Sequence, residues 1–591
     1  MKTHYRTHMC GEITKQQLGE EVTVSGWVQR RRDLGGVIFI HLRDRTGIIQ
    51  LVIDSTKQKE IFETADKVRS EYVLQVKGKV IMRDEENFNP AIATGEIELY
   101  TETITILDAA QTPPIYIDDN DKAGESIRLE YRYLDLRKFS MQEKIIKRHQ
   151  TVQAVRSFLN NEGFLEIETP ILTKPTPEGA RDFLVPSRLQ QGLFFALPQS
   201  PQLYKQILMI SGFDRYYQIA KCFRDEDLRQ DRQPEFTQID MELSFVEPED
   251  IMEINERMMI SIFKQVMGYD IPYPIPRMPF AEAMERFGSD KPDVRFGMEL
   301  KDITDIVRNC GFKVFSSAAE HGSVRAINAK AGNDALSRRD LDGLTDFVKQ
   351  FGAKGLAWFV VEKDNVKSPV AKFLTNDEMD DILRRMEAEV GDIIFVVADK
   401  DKIVFDSLGQ LRLNLAQKLN VEMKDGFEFL WVTDFPMFEY DETDGRYYAM
   451  HHPFTAPRDE DIPLLDSDPD KVRAKAYDLV VNGMELGGGS IRIHNQDLQK
   501  KIFSVMNFDD DTIQRKFGFL LEALKYGTPP HGGLAFGLDR LMMLLTGADN
   551  IREVIAFPRT QNHSCLMMKS PAAADASALE ELGIRVMPKL S

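Results

Sequence analysis

Short alternating segments of apolar and polar residues fill the first hundred positions of the chain. Five runs rich in Val, Ile and aromatic residues predict β-strands, and one amphipathic stretch between the third and fourth predicts a helix, Lys57–Arg69. The strands are predicted over Val22–Val28, Val37–Arg43, Gly47–Ile53, Tyr72–Val80 and Glu96–Ile106. We therefore expect a small β-structure with one inserted helix.

That element order is the order of the OB-fold, a five-stranded barrel that often binds oligonucleotides. Phe39 could stack an unpaired base, and the neighbouring run Arg30–Arg32 and the pair Arg43 and Arg45 could attract phosphates. A small β-barrel without a nucleic-acid function is the alternative. The aromatic and basic residues together favour single-stranded nucleic acid.

Beyond residue 108 the pattern changes to mixed helices and strands. Apolar residues at helical spacing predict a helix over Met141–Glu162, ended by Gly163, and a strand over Phe164–Glu168 that stops at Thr169-Pro170. Residues 291–425, with a strand at Ile393–Val397 and a helix at Asp377–Val390, form an α+β stretch without a catalytic-looking cluster. We expect an α+β multidomain chain whose domains are 1–108, a linker at 109–134, a catalytic domain at 135–290 and 426–591, and an insertion at 291–425.

Composition limits the function classes. The 591 residues carry 75 Lys+Arg and 94 Asp+Glu, a formal charge of −19, so indiscriminate binding to nucleic acid is not expected. No apolar run approaches the roughly 18 residues of a membrane span, and we expect no membrane partner. The four cysteines lie far apart without CxxC spacing, which favours a reducing cytoplasm over a disulfide framework or a zinc site.

Candidate chemistry begins at Ser200-Pro201, which has the form of a helix N-cap followed by proline at the first helical position. Gln202 and Lys205 would then share one helix face. A solvated lysine is the ordinary alternative for Lys205.

Two predicted strands follow, Tyr216–Arg224 and Glu235–Phe245. Alternation puts polar residues on one face of both strands. A solvent-facing sheet could show the same pattern, but a ring, an acid and an arginine on one surface also suit a ligand with a planar base and a phosphate. The residues on this face are Gln218, Ala220, Cys222 and Arg224 in the first strand, and Phe236, Gln238, Asp240 and Glu242 in the second.

A hairpin is predicted around Asn482-Gly483, with Val480 opposite Glu485, so that Asp478 and Glu485 become diagonal neighbours. Two such carboxylates suit Mg²⁺, although two exposed acids would look the same. Near the C-terminus, a strand leads into a helix at Gly537-Leu538-Asp539-Arg540, where Arg540 would sit in the first turn and favour a phosphate; a buried Arg–Asp pair is the alternative. No Walker A, dinucleotide-binding or zincin motif is present.

Together these segments resemble the bacterial-type aspartyl-tRNA synthetases, which are class II aminoacyl-tRNA synthetases, over essentially the whole chain. The three signature motifs of class II have counterparts here. Phe164–Pro170 resembles motif 1, Phe223–Glu226 through Phe236–Asp240 resembles motif 2, and Gly537–Arg540 resembles motif 3. Segments similar to those specific to the aspartyl enzymes are Gln199–Lys205, His451–Thr455 and Gly487–Arg492.

The resemblance implies a homodimer joined through motif 1 and an N-terminal anticodon-binding OB domain. It also implies an antiparallel catalytic sheet flanked by helices and interrupted by the bacterial insertion, and a two-step reaction. L-aspartate and ATP would form aspartyl-adenylate, and the aspartyl group would then pass to the terminal adenosine of tRNA(Asp). The catalytic residues implied are Arg224 and Arg540, and the Mg²⁺ ligands implied are Asp478 and Glu485.

The same resemblance assigns binding residues. For aspartate they are Glu178, Gln202, Lys205, Arg224, Asp240, His451 and Arg492. For ATP they are Arg224, Glu226, Gln233, Phe236, Glu485, Gly537, Leu538, Asp539 and Arg540. For the anticodon they are Arg30, Leu34, Phe39, Gln50, Arg83 and Glu98.

Three expectations remain open to test. Regular alternation puts Glu485 and Arg492 on opposite strand faces, so a bulge is expected within Gly487–Gly489. Asparagine is expected to be rejected because it would leave Lys205 and Arg492 without a carboxylate partner. Leu34, where relaxed relatives often have His, favours an enzyme that charges tRNA(Asp) and not tRNA(Asn).

The alternatives fall into two classes. Within the fold they are a relaxed enzyme that also charges tRNA(Asn), the asparaginyl and lysyl enzymes, and asparagine synthetases of the class II type. Outside it stands a non-catalytic tRNA- or single-strand-binding protein that uses its OB domain.

Overall fold

The computed structural model describes residues 2–175 and 179–587. The chain forms two compact units. The first comprises Met1–His149, Asp227–Gln233 and Thr546–Ala576, and the second comprises Gln150–Glu226, Pro234–Leu545 and Ser577–Ser591.

The first unit contains a closed five-stranded barrel with strand order β1-β2-β3-β5-β4. Its strands are β1 (Glu21–Asp33), β2 (Val37–Asp44), β3 (Gly47–Asp54), β4 (Val73–Met82) and β5 (Ile97–Asp108), and helix α1 (Lys59–Lys67) follows β3. Alternate residues such as Val24, Ile38 and Ile40 are fully buried in the barrel core, because strand side chains point in and out by turns. The predicted five strands, helix and OB element order are confirmed.

The chain then enters three helices, α2 (Glu125–Glu130), α3 (Arg132–Asp135) and α4 (Phe139–Asn161). Gly163 has a φ of 80°, the left-handed conformation that glycine adopts without strain, and it follows α4 as predicted.

The second unit is built on an eight-stranded, mainly antiparallel sheet with strand order β11-β17-β20-β21-β22-β10-β9-β6. Its elements up to the insertion are β6 (Leu165–Glu166), β7 (Leu184–Pro186), β8 (Phe194–Ala196), α5 (Gln202–Ile210), β9 (Arg215–Phe223), β10 (Glu235–Ser244), α6 (Pro248–Met267), β11 (Arg277–Pro279) and α7 (Phe280–Phe287). The predicted strand Phe164–Glu168 is reduced to the two residues of β6.

A five-stranded sheet with order β12-β13-β16-β14-β15 lies within the inserted stretch. Its elements are β12 (Lys301–Asp302), α8 (Thr304–Val307), α9 (Lys313–His321), β13 (Ser323–Ala329), α10 (Gly332–Ala335), α11 (Arg338–Lys349), β14 (Ala357–Val361), β15 (Val366–Lys367), α12 (Asn376–Arg385), β16 (Ile393–Asp399) and α13 (Asp401–Lys418).

The large sheet is completed after the insertion. Its remaining elements are β17 (Phe429–Thr433), β18 (Phe438–Asp441), β19 (Arg446–Ala449), β20 (Ala476–Val481), β21 (Met484–Ile491), α14 (Gln496–Val505), α15 (Asp510–Ala523), β22 (His531–Gly537), α16 (Leu538–Thr546) and α17 (Ala576–Glu581). Of the helices described, none is both long and apolar enough to cross a membrane.

Two predicted helix boundaries are wrong. Helix α5 begins at Gln202 with Pro201 as its N-cap residue, one residue later than expected, yet the Ser200 hydroxyl still accepts the Gln202 amide at 3.3 Å. Helix α12 ends at Arg385 instead of Val390, because Glu387 has a φ of 50°, which is outside the helical region.

Candidate active site and nucleic-acid surface

One face of the large sheet carries the predicted polar residues of β9 and β10. Asp240 is paired with Gln218 on β9 and with Ala535 on β22, and Glu242 lies opposite Gly533. The small residues on β22 leave space above the sheet, and a Cβ built on Gly533 would lie 2.0 Å from a Glu242 carboxylate oxygen. The register therefore confirms the predicted shared face.

Four buried charged side chains interlock on this face. Lys205, from α5, places Nζ 2.6 Å from Asp240 Oδ1 and 3.2 Å from Glu242 Oε2. Arg492 donates two hydrogen bonds to the Glu242 carboxylate, at 2.9 and 3.1 Å. Each of the four is at most 2% exposed. The site thus holds two cations that already share two carboxylates.

Burial and charge act against each other on the two acids. Burial alone would raise the pKa of Glu242, but the charges of Arg492 and Lys205 lower it below its ordinary value. For Asp240 burial prevails, and its pKa is raised although Lys205 opposes the shift. Glu242 is therefore the better counter-ion for the two cations.

Sequence reasoning assigned no role to Glu242 or His452. Glu242 was visible as a polar residue on the predicted face, and His452 as the second histidine of the segment beginning at His451. Arg492 Nη1 lies 2.7 Å from His452 Nε2 and 2.7 Å from the Ser490 hydroxyl. Burial, reinforced by the Arg492 charge, lowers the pKa of His452 well below its ordinary value, so the imidazole is neutral.

Two other predicted aspartate ligands, the buried Gln202 and the half-buried His451, lie in the second unit. Gln202 is 7% exposed, and its Nε2 donates no hydrogen bond to a described residue. His451 places Nε2 3.7 Å from Asp478 Oδ1. Burial alone would lower the pKa of His451, but the nearby Asp478 carboxylate raises it above its ordinary value. Glu178 lies outside the described residues.

The two predicted metal ligands stand on adjacent strands, Asp478 on β20 and Glu485 on β21. Burial raises the pKa of Glu485, and the nearby Asp478 raises it further. Asp478 Oδ1 is buried and accepts no hydrogen bond within the described part of the chain. Two neighbouring carboxylates that repel each other fit a hard divalent cation, which would balance their charge.

A bulge brings these acids onto one face with Arg492. Val480 is paired with Glu485 as predicted, but Leu479 is paired with Gly487, so Leu486 is the extra residue. The bulge therefore precedes the glycine run and does not lie within Gly487–Gly489 as predicted. Leu486 is 1% exposed, and burial of this apolar side chain gives the irregularity a physical reason.

The residues assigned to ATP lie at strand ends. The Arg224 guanidinium lies over the Phe236 ring, 5.1 Å from its centroid, and its buried Nε makes no hydrogen bond to any described residue. Arg540 Nη1 donates to the Glu485 backbone carbonyl at 3.0 Å and lies 3.8 Å from the Glu485 carboxylate. The Glu226 amide donates to the Arg224 carbonyl at 3.2 Å.

The residues of the motif 3 segment Gly537–Arg540 differ in their position and burial. Gly537 ends β22, whereas Leu538 and Asp539 are 1% and 2% exposed. The Asp539 carboxylate accepts the Thr237 amide at 2.8 Å, which fastens α16 to β10. Gln233 belongs to the first unit, where its side chain bonds to the backbone of Arg559.

On the barrel, the predicted anticodon residues follow neighbouring strands. Arg30 is paired with His41 and Arg32 with Phe39, and His41 is paired in turn with Gln50. Gln50 donates to Glu98 at 2.8 Å, and Arg83 Nε lies 3.9 Å from the same carboxylate. Leu34, in the β1–β2 loop, is 70% exposed.

The predicted phosphate-binding role of Arg43 is wrong. Arg43 is 3% exposed and donates two 3.0 Å hydrogen bonds to Glu71. Arg31 is engaged as well, because it donates to the Ala65 carbonyl at 3.1 Å and to Asp66 at 2.6 Å, both on α1. Arg30, Arg32 and Arg45 remain as the exposed or half-exposed basic residues of that prediction.

Two family models match the chain. The model described as tRNA synthetases class II (D, K and N) matches residues 124–561, and that of the OB-fold nucleic acid binding domain matches residues 22–107. The chain therefore belongs to the class II tRNA synthetases.

Comparison with curated relatives shows which family within class II the chain belongs to. The aspartate–tRNA(Asp/Asn) ligase of Thermoanaerobacter pseudethanolicus is 58% identical over 582 residues, covering 98% of each chain. The aspartate–tRNA ligase of Ruminiclostridium cellulolyticum is 58% identical over 583 residues, again covering 98% of each. The chain is a ligase of the aspartate–tRNA ligase family.

Solved structures agree on the fold. The asparaginyl-tRNA synthetase of Pyrococcus horikoshii, complexed with asparaginyl-adenylate, is 20% identical with a TM-score of 0.59, covering 94% of this chain and 98% of that one. The asparaginyl-tRNA synthetase of Entamoeba histolytica is 19% identical with a TM-score of 0.57, covering 92% of this chain and 95% of that one. At these identities the likeness concerns the fold.

Proposed function

We propose that the chain activates L-aspartate with ATP, forming aspartyl-adenylate and pyrophosphate, and then transfers the aspartyl group to the terminal adenosine of tRNA(Asp). The observation that carries the choice of amino acid is the buried pair Lys205 and Arg492. Two cations on the substrate face favour a second carboxylate in the substrate.

Chemistry at the α-phosphate requires charge stabilisation and little proton transfer. Arg224 holds the α-phosphate and the aspartate α-carboxylate, which attacks phosphorus in line, and Arg540 holds the γ-phosphate. The Phe236 ring stacks on adenine, and Glu226 and Gln233 contact the nucleotide. The unbonded Arg224 Nε supports this role, because a buried guanidinium nitrogen gains a partner when phosphate arrives.

Asp478 and Glu485 hold Mg²⁺ in this proposal. The ion would supply positive charge to the phosphate oxygens. The unpartnered Asp478 Oδ1 and the raised pKa of Glu485, caused by burial and by Asp478, support two ligands that need a cation between them.

Lys205, Arg492 and Asp240 form the pocket for the aspartate side chain, and Gln202, His451 and Glu178 help to hold the amino acid. The sequence argument for rejecting asparagine needs revision, since Lys205 and Arg492 already have Asp240 and Glu242 as partners. Asparagine would therefore not leave the cations unpaired. Selectivity must instead come from the greater attraction of a carboxylate than an amide to the same two charges.

The deciding experiment is amino-acid-dependent ATP–pyrophosphate exchange with Mg²⁺. We expect exchange with L-aspartate, and at least about 10³-fold lower kcat/KM with asparagine or lysine. Exchange that responds to asparagine or lysine would identify one of the sister activities. No exchange with any amino acid would identify a tRNA-binding protein that acts through its barrel.

Further parts of the proposal concern assembly and partners. We propose a homodimer joined through motif 1, supported by Leu165 on edge strand β6, which is 50% exposed. Domain roles follow the expected boundaries: anticodon binding at 1–108, a hinge at 109–134, catalysis at 135–290 and 426–591, and an insertion at 291–425. We place the enzyme in the cytoplasm, where its tRNA is charged and isolated thiols stay reduced.

The anticodon surface comprises Arg30, Leu34, Phe39, Gln50, Arg83 and Glu98. The contiguous contacts from His41 through Gln50 to Glu98 support it, because they line up acceptors and donors beside a half-buried aromatic ring. We propose a tRNA(Asp)-specific enzyme; the relatives include ligases named for tRNA(Asp) and for both tRNAs, so charging tRNA(Asn) is the second candidate.

A further inference from the structure

Within the first unit, Ile551–Arg559 is held by an arginine far away in the sequence. We call this stretch the platform segment. Arg132, at the start of α3, donates to the carbonyls of Arg552, Ile555 and Ala556 at 2.8, 2.8 and 2.9 Å. Arg132 is 3% exposed and is itself fixed by Asp135 at 2.8 Å. The buried Arg132 guanidinium thus fixes the backbone of the platform segment by three hydrogen bonds.

The same platform segment carries the loop Asp227–Gln233. Gln233 Oε1 accepts the Arg559 amide at 2.7 Å, and Gln233 Nε2 donates to the Arg559 carbonyl at 3.1 Å. At the other end of the segment, the Ile551 amide donates to the Gln230 carbonyl at 3.0 Å. The loop is therefore attached at two points, and Gln233 is 5% exposed.

Both polar ends of the Gln233 side chain are engaged by the backbone of Arg559. A side chain with its donor and acceptor engaged this way determines where its own backbone lies. The loop is covalently continuous with Arg224–Glu226 before it and with Phe236 after Pro234, which are the residues assigned to ATP. Movement of the loop would therefore change the positions available to those residues.

We propose that Arg132 is a positioning residue for ATP: it holds the platform segment, and Gln233, which the proposed function places against the nucleotide, fastens the loop to that segment. This inference rests on the proposed function. It predicts that loss of either attachment weakens binding of the nucleotide, with less effect on aspartate or on the chemical step.

The test compares Gln233→Met and Arg132→Met in ATP–pyrophosphate exchange. Each should raise the KM for ATP about tenfold, since two hydrogen bonds to the platform segment are lost with Gln233 and three with Arg132, while the KM for aspartate changes less than about twofold. The double variant should resemble Arg132→Met alone, because the two residues act through one platform. Multiplied effects of the two changes, or an unchanged KM for ATP, would overturn the proposal.

A matched control is Arg128→Met. Arg128 also donates to Asp135, at 2.9 Å, but makes no hydrogen bond to the platform segment in the described structure. Its KM for ATP should stay within about twofold of the original, and an equal rise would show that any disturbance near Asp135 has this effect. If Arg132→Met fails to fold, Arg132→Lys keeps the charge beside Asp135 with fewer donors and should show the same direction.

A second readout does not depend on catalysis. Amide hydrogen exchange of Asp227–Gln233 should be at least about fivefold faster in the Arg132 variant, although the hydrogen bonds of Arg132 go to the platform segment and Asp135. Unchanged amide protection of Asp227–Gln233 in the Arg132 variant would contradict the proposal that the platform segment holds this loop. Absence of exchange activity in the unmodified protein would contradict the proposed function instead, so the two failures are distinguishable.

Discussion

At the scale of single residues, the arrangement of charges in the pocket differs from a simple cationic site. Lys205 and Arg492 share Glu242 as a counter-ion, and Lys205 also has Asp240. Removal of one member of such a buried set leaves another charge without its partner, which is more costly than never having had the pair. Activity and stability should therefore change together here.

Replacing Arg492 by Leu should abolish aspartate-dependent exchange. It should also lower the free energy of unfolding by about 3–5 kcal/mol, because Glu242 loses its bidentate partner. Adding Glu242→Gln should recover part of that stability without recovering exchange. Urea denaturation and exchange kinetics on the unmodified protein and the two variants measure both quantities, and near-normal exchange in Arg492→Leu would remove Arg492 from the pocket.

At the scale of elements, turns and bulges rely on specific side-chain contacts. The turn after α12 is built around Asp392, which is 3% exposed and accepts from Asn328 and from the amides of Ala331 and Glu389, at 2.9, 3.0 and 2.9 Å. Burial alone would raise the pKa of Asp392, but these hydrogen bonds and Lys330 lower it. The ionised form therefore stabilises the turn.

That stabilisation has a definite pH dependence. Because the folded pKa is lowered, it is fully present above the unfolded value of about 3.9 and disappears as pH falls through the folded pKa. Asp392→Asn should speed amide hydrogen exchange around Ala331 at pH 7, and the difference from the original protein should shrink below about pH 4. The exposed Asp381→Asn serves as a control; a constant difference at all pH values would argue against this role for the Asp392 charge.

The barrel strands support a prediction about Phe39, which is half-buried on β2 opposite Arg32. Stacking on an unpaired base is worth about 1–3 kcal/mol, so Phe39→Ala should weaken aminoacylation of tRNA(Asp) about 5–150-fold through the KM for tRNA. Exchange without tRNA should stay nearly unchanged. Equal losses in both assays would indicate a folding defect instead of a lost base contact.

At the scale of the whole molecule, we expect the choice of tRNA to depend on the barrel, whereas adenylate formation depends on the large sheet. Leu34 is 70% exposed in the loop after β1, where Gly35 and Gly36 have φ of 70° and 117°. A side chain presented on such a turn can contact a base without altering the barrel core. Changes there should therefore alter tRNA choice and leave adenylate formation unchanged.

We expect transcripts of tRNA(Asp) to be charged with at least about tenfold higher kcat/KM than tRNA(Asn), since one altered base contact changes binding by about 1–3 kcal/mol. Leu34→His should narrow the gap. Parallel charging assays with both transcripts decide the matter, and comparable efficiencies in the unmodified enzyme would make it a relaxed one.

The sequence by itself determined the elements whose pattern is local. Alternating apolar residues predicted all five barrel strands, and the Asn482-Gly483 turn predicted the pairing of Val480 with Glu485. It also predicted that Gln218 and Asp240 share a face, because side-chain alternation is a property of the strand itself. Side-chain alternation and a two-residue turn are both set by residues within a few positions of one another.

Only the tertiary structure decided which charges meet. Glu242 and Arg492 are 250 positions apart, and Gln233 and Arg559 are 326 apart, so no local pattern reveals either contact. The sequence places Arg43 among surface cations, whereas in the folded protein Arg43 is buried and donates to Glu71. The bulge at Leu486 likewise depends on packing, because the choice between neighbouring positions is made by which side chain the core accepts.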